Sequence, residues 1–206
     1  MASYKGLNMA YNRKDYYYKK AKEEGKPSRA AYKIEQIQKR FRVINRGDIV
    51  IDLGCSPGGW LKEISKLIGP KGTVVGVDAE AIRVEIPRNG AFVLGDIMSA
   101  DAIEQLCLRL TREADVVVSD MAPNLSGITF RDSYRSYELA SRALEICRGI
   151  LKEGGNFVVK VFPGRELDAF KRSLKQTFKK VETVVPPATR KTSSELYLVG
   201  IGHKKI

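Results

Sequence analysis

The feature that most constrains this chain is an alternation, from Asp48 onward, of short β-branched runs with stretches of helical period. Runs at 49–53, 73–77, 92–95, 115–119, 156–162, 181–185 and 195–201 read as strands. Stretches at about 59–68, 101–111, 133–152 and 165–178 carry apolar residues at helical spacing, with a shorter helical piece near 80–85. The strands are apolar at successive positions, as expected of a parallel sheet whose two faces are both covered by helices. The pattern predicts an α/β fold built on an open, doubly wound sheet, in which ligands lie at the carboxyl ends of the strands. Only Pro186-Pro187 and a polar loop separate the last two strands. That is too short for a helical crossover, so these two should pair antiparallel.

A length of 206 residues and a hydrophobic content of 43% suit one domain with a proper core, 46–206, and an appendage, 1–45, packed on it. No apolar run reaches the length of about 18 residues that a membrane-spanning helix needs. The N-terminus is polar and tyrosine-rich and lacks the apolar centre of a signal peptide, so a cytoplasmic location is expected. Cys55, Cys107 and Cys147 are widely spaced and His203 is the only histidine, which argues for reduced packing thiols and against a metal site or a histidine dyad. The net charge of +12 is segregated: residues 1–45 carry +8, 160–206 carry +7 and the middle −3. Basic ends around a slightly acidic centre suit a polyanionic partner, nucleic acid before an anionic membrane surface. In 1–27, Tyr11, Tyr16, Tyr17 and Tyr18 are interleaved with Arg13, Lys14, Lys19, Lys20 and Lys22. Those tyrosines either stack on bases or pack down on the domain. Pro27-Ser28 marks a helix start, and Ala31, Ile34, Ile37 and Phe41 form an apolar stripe with Lys33 beside it.

The first strand runs into Asp52-Leu53-Gly54-Cys55-Ser56-Pro57-Gly58-Gly59-Trp60 and then a helix. Glycines there let the backbone pass close to a ligand, and the helix presents unpaired N–H groups. The spacing is neither G-x-G-x-x-G nor a P-loop, which disfavours a pyrophosphate cradle and with it NAD, FAD or ATP. Acidic residues stand at the ends of strands one to four: Asp52, Asp78, Asp96 and Asp120. Asp78 is placed to accept hydrogen bonds from ribose hydroxyls and Asp96 to read an adenine amino group, and a row of carboxylates suits a cationic sulfonium. A parallel sheet ending in an antiparallel hairpin is also the pattern of S-adenosylmethionine-dependent methyltransferases, by analogy of fold.

Lys160 interrupts the run Phe157-Val158-Val159-Lys160-Val161-Phe162, otherwise suited to a buried strand. Its ammonium either has a carboxylate nearby, such as Asp120 or Glu195, or snorkels to solvent. With Ser28-Arg29-Ala30-Ala31-Tyr32-Lys33-Ile34, the glycine loop, Ser119-Asp120-Met121-Ala122-Pro123-Asn124, Val159-Lys160-Val161-Phe162 and Thr189-Arg190-Lys191-Thr192-Ser193-Ser194-Glu195-Leu196-Tyr197 in order, the chain resembles the FtsJ (RrmJ-like) family of ribose 2′-O-methyltransferases acting on ribosomal RNA. The resemblance covers nearly the whole length, and five blocks in order are far more specific than the glycine loop alone. Cys55 and Ser56 stand where the family often has small residues such as alanine, and both are themselves small.

The resemblance implies a Rossmann-like methyltransferase sheet, mostly parallel with an antiparallel last strand, plus a basic N-terminal helical arm. It implies a catalytic tetrad of Lys33, Asp120, Lys160 and Glu195, and S-adenosyl-L-methionine as cofactor, held by Gly58, Trp60, Asp78, Asp96 and Asp120. The implied substrate is RNA, a uridine of 23S-type ribosomal RNA within or near the large subunit, with no DNA or membrane partner. Transfer to tRNA, or a non-catalytic role as an RNA-binding ribosome-assembly factor, are the alternatives, with a nicotinamide-dependent oxidoreductase behind them. Methyl transfer to a hydroxyl is an in-line displacement, so the protein must align two atoms and manage one proton. A lysine, with an ordinary pKa of about 10.4, acts as a base only where desolvation or a like charge lowers that value. Lys33 would supply the like charge, while Asp120 and Glu195 would oppose it. Arg29, Lys33, Arg190 and Lys191 are expected to line the RNA path, and Asn124 and Ser126 to sit in a loop closing over the nucleotide. Tyr197 either stacks on the target base or packs in the core.

Overall fold

The computed structural model describes residues 16–26 and 28–205. Tyr11, Arg13 and Lys14 of the predicted arm, and Pro27 at the predicted helix start, lie outside them. Seven strands, β1 (Ile49–Leu53), β2 (Thr73–Asp78), β3 (Gly90–Leu94), β4 (Ala114–Ser119), β5 (Leu151–Val161), β6 (Phe178–Val184) and β7 (Leu196–His203), form one sheet. Its order is β3-β2-β1-β4-β5-β7-β6. β1 to β5 pair parallel; β7 inserts between β5 and β6 and runs antiparallel to both. The strand order reverses between β1 and β4, where a doubly wound sheet opens its ligand crevice.

Successive strand residues point to opposite faces, and two cores result. Val50, Val74, Val116, Val118, Val158, Tyr197 and Val199 pack under α2 (Ala31–Phe41) and α3 (Gly59–Ile68) through Ile34, Ile37, Trp60, Leu61 and Ile64. The alternate residues Ile51, Val75, Val117, Phe157, Val159 and Leu198 pack under α4 (Ala100–Cys107), α5 (Thr129–Ile150) and α6 (Leu167–Thr177). This parity matters for chemistry. Asp52, Asp120, Lys160 and Glu195 continue the register of Val50, Val118, Val158 and Tyr197, so all four belong to the α2 face.

The predicted short helix at 80–85 is absent: these residues run without regular structure. Arg83 N–H bonds the Pro57 carbonyl and Ser56 Oγ bonds the Ala81 carbonyl, so the segment is tied across the glycine loop instead of to its own preceding turn. β5 begins at Leu151 rather than 156, with a register shift against β4 between the Ala114–Leu151 and Val116–Asn156 pairs, and α5 starts four residues earlier than its apolar period suggests. α1 (Tyr16–Glu23) packs through Ala21 and Tyr17 against Tyr32 and Ala188, while Tyr16 and Tyr18 face solvent. Packing on the domain therefore holds for Tyr17, while the Tyr16 and Tyr18 rings stay exposed.

Candidate active site

Lys33 reaches the sheet because α2 is fixed along its length. Ile34 and Ile37 are fully buried, the Trp60 Nε1–H donates to the Ala30 carbonyl at 2.8 Å, and Gln38 closes the C-terminal turn by exchanging hydrogen bonds with the Ile44 backbone. From that position the Lys33 ammonium lies 2.6 Å from Glu195 Oε1 and 3.8 Å from Asp120 Oδ1. Lys160, opposite Tyr197 in the β5–β7 ladder, places its ammonium 3.0 Å from Asp120 Oδ1 and also donates to the Asp120 backbone carbonyl. Both lysines are buried. Four side chains drawn from α2, the end of β4, β5 and the start of β7 thus form one cluster of two cations and two anions. Lys160 does not snorkel; its charge is matched inside, as the cost of an unpaired buried ammonium requires.

Tyr197 packs in the core, one of its two expected places, and from there its hydroxyl joins the cluster. Its ring is fully buried, stacks on Trp60 at 5.9 Å and lies 5.6 Å from the Lys33 ammonium, and its hydroxyl donates to Asp120 Oδ1. Burial and the neighbouring Asp120 and Glu195 carboxylates push the Tyr197 hydroxyl well up, which keeps it a donor. Burial alone would raise the Asp120 carboxyl as well. The Lys160 and Lys33 charges, with the Tyr197 hydrogen bond, outweigh it and hold Asp120 below the usual carboxylate range.

Beside this cluster lies a cavity of about 510 Å³, lined among others by Gly54, Ser56, Asp78, Glu80, Arg83, Asp96, Asp120 and Met121. Asp78 accepts the Ser56 and Glu80 N–H groups at 2.8 Å each, which turns its carboxylate toward the cavity side of the glycine loop. Asp96, beyond β3, accepts the Met98 N–H. Under the loop, Asp52 is fully buried, and neither of its carboxyl oxygens has a hydrogen-bond partner. A cavity of this size, walled by Ile97, Met121 and Leu139 and ringed by carboxylates, fits a nucleoside carrying positive charge.

Of the expected cofactor contacts, Asp78, Asp96 and Asp120 line this cavity; Gly58 and Trp60 do not. The Trp60 indole is buried between α2 and β7, and Gly58 lies where Val84 crosses the loop. Glu80 and Arg83 line the cavity without having been anticipated, because the segment expected as a short helix near 80–85 instead crosses the glycine loop. Of the expected RNA-path residues, Arg29 donates to the Ala188 carbonyl and is tied to the β6–β7 connection, and Arg190 and Lys191 are exposed; in the loop expected to close over the nucleotide, Asn124 is exposed. Ser126 is engaged by Asp132 through its N–H and its hydroxyl. Among the described residues no group of three or more His, Cys, Asp or Glu side chains clusters as metal ligands, and no helix is long and apolar enough to cross a membrane.

A family model described as FtsJ-like methyltransferase matches residues 27–203. A ribosomal RNA large subunit methyltransferase E of Methanothrix thermoacetophila is 46% identical over 192 residues, which cover 93% of this chain and 74% of that protein. A protein of the same description from Bdellovibrio bacteriovorus is 39% identical over 198 residues, 95% of this chain and all of the other. Among solved structures, a Plasmodium falciparum protein described as a ribosomal RNA methyltransferase superposes with a TM-score of 0.76 at 27% identity, covering 85% of this chain and 97% of that one.

Proposed function

The chain belongs to the FtsJ-like methyltransferase family, and from that premise we propose that it methylates a ribose 2′-hydroxyl of RNA, using S-adenosyl-L-methionine, on a uridine of large-subunit ribosomal RNA. The names of its relatives favour ribosomal RNA over tRNA. The observation that carries the reading is the convergence of Lys33, Asp120, Lys160 and Glu195 beside a carboxylate-ringed cavity.

Asp78 would hold ribose hydroxyls and Asp96 the adenine edge, while Asp120, shared by cavity and tetrad, faces both partners of the reaction. When bound, S-adenosyl-L-methionine supplies a methyl already activated on a sulfonium. The residues then have to orient the acceptor hydroxyl and manage its proton. Lys160 Nζ, held by Asp120 Oδ1 and the Asp120 carbonyl, either takes that proton or donates a hydrogen bond that turns the hydroxyl lone pair toward the methyl. Lys33 and Glu195, paired at 2.6 Å, position the ribose. A pH–rate profile separates the two roles of Lys160, since only a base has to be neutral to act.

Transfer of radiolabelled methyl to large ribosomal subunits from cells lacking the protein tests the reading, with the product mapped as 2′-O-methylation. Lys160→Ala should lower the rate by about 10²-fold or more, the scale of a lost acid–base group, while S-adenosylhomocysteine still binds. Near-normal turnover in that variant would sink the assignment.

A further inference from the structure

The first two turns of α5 carry an arrangement that the tetrad and the cavity do not use. Phe130 and Tyr134 lie one helical turn apart and are 57% and 45% exposed. Arg131 and Arg135, both exposed, run beside them at the same spacing. The Arg165 guanidinium, from the loop after β5, sits over the Phe130 ring at 5.5 Å. Upstream in the chain, between α5 and the cavity-lining Met121 and Ala122, Leu125 and Ile128 are 68% and 58% exposed. Exposed apolar side chains concentrated in this way, with cations interleaved, mark a binding surface.

The surface is built rather than loose. Asp132 accepts the N–H of Ser126 and of Gly127 and the Ser126 hydroxyl, and Ser133 Oγ donates to the Phe130 carbonyl. A Cβ at Gly164 would come within 2.7 Å of Ser133 Oγ, so the loop carrying Arg165 lies tight against α5. These segments leave the sheet from β4 and β5, the strands that bring Asp120 and Lys160 to the site. Whatever Phe130 and Arg165 hold therefore lies at the carboxyl end of the sheet, the end at which β4 and β5 present Asp120 and Lys160.

An aromatic face under a guanidinium, with further arginines one turn along, matches a nucleobase and its flanking phosphates. We propose that Phe130, Tyr134, Arg131 and Arg165 form a docking platform for an unpaired nucleotide next to the target ribose. The proposal rests on the reading of the chain as an RNA methyltransferase and adds where the RNA is gripped.

The test measures binding of a fluorescent single-stranded fragment of large-subunit RNA to the full-length protein, with methylation and S-adenosylhomocysteine affinity followed in parallel. Phe130→Ala should weaken RNA binding roughly tenfold, the scale of one lost base–aromatic stack, with the salt dependence unchanged. Phe130→Trp should restore it. Arg165→Ala should weaken binding and reduce the slope of log K against log salt by about one, as for one lost phosphate contact. S-adenosylhomocysteine affinity and thermal midpoint should hold in all three. Wild-type protein that binds and methylates RNA while Phe130→Ala binds equally tightly would overturn the platform alone. A Phe130→Ala defect seen only on assembled particles would also overturn it, in favour of a protein partner. Wild-type protein that neither binds the fragment nor methylates large ribosomal subunits would overturn the methyltransferase reading and the platform with it.

Discussion

Neither oxygen of the Asp52 carboxyl receives a hydrogen bond, although the residue is fully buried at the end of β1. Burial first, then the carboxylates of Asp120 and Asp78, raise it well above the ordinary range, so the folded protein holds it protonated over a window where the unfolded chain ionises it. The sign follows from proton linkage: the folded state binds the extra proton, so stability falls as pH rises from about 4, the ordinary aspartate value, through the raised folded value. Asp120 works in the opposite sense. Its lowered value contributes stability above about pH 4 that is lost as pH falls below it. Asp52→Asn should therefore stabilise the fold at pH 8, where the parent no longer gains from the extra proton its folded state holds. The gain should vanish near pH 4. Denaturant midpoints of parent and variant across that range check it, and a pH-independent gap would contradict it. A stabilising substitution at a buried site residue also fits the general cost that ligand sites impose on folds.

At the scale of elements, the loop between β1 and α3 depends on Gly58, which caps α3 at a φ of 105°, in the left-handed region. A Cβ there would meet Val84 Cγ2 at 2.3 Å, so the 79–84 segment could no longer cross the loop and present Ala79, Glu80 and Arg83 to the cavity. Gly58→Ala should lose about 2–4 kcal/mol, combining backbone strain of about 1–3 kcal/mol with overpacking, and should weaken S-adenosylhomocysteine binding. Gly127→Ala is the control. It shares the left-handed backbone, with a φ of 79°, but has nothing within 4 Å, so it should cost only about 1 kcal/mol. Chemical denaturation and calorimetric titration measure both effects. The same loop shows what was legible in the sequence. Strands and helices with a clear period were readable to within a few residues, because burial of both sheet faces is written directly into runs such as Ile49-Val50-Ile51 and Val116-Val117-Val118. The path of 79–88 was not, because Arg83 N–H and Ser56 Oγ spend their hydrogen bonds across the glycine loop, a long-range pairing without a local pattern. The insertion of β7 between β5 and β6 was equally invisible, since periodicity identifies a strand and not its neighbours.

Across the whole molecule, the tetrad is assembled from positions 33, 120, 160 and 195, so the two basic ends of the chain meet at its acidic centre. α2 comes from the N-terminal segment, β7 from the C-terminal one, and both pack on one sheet face. The candidate residues were legible because a lysine inside an apolar strand and acids at strand ends stand out; Tyr197 was harder, since a buried tyrosine looks the same in sequence whether or not its hydroxyl reaches Asp120. Trp60 is the strut of this assembly. It begins α3, bonds α2 through the Ala30 carbonyl and stacks on Tyr197 of β7, whose hydroxyl bonds Asp120. Its indole acts through others in this geometry, as a positioning residue for Lys33 and Asp120. Trp60→Phe keeps most of the packing and removes the N–H, leaving the Ala30 carbonyl without that partner, at a cost of about 1–3 kcal/mol. Small shifts of α2 should then separate Lys33 from Glu195 and Asp120. Turnover is expected to fall about tenfold or more, since misplacement of about 1 Å is enough to cost two orders of magnitude, while S-adenosylhomocysteine affinity stays within about twofold. Parallel kinetics and calorimetry on the variant measure the split. A loss of affinity matching the loss of turnover would instead put the indole in contact with the methyl donor.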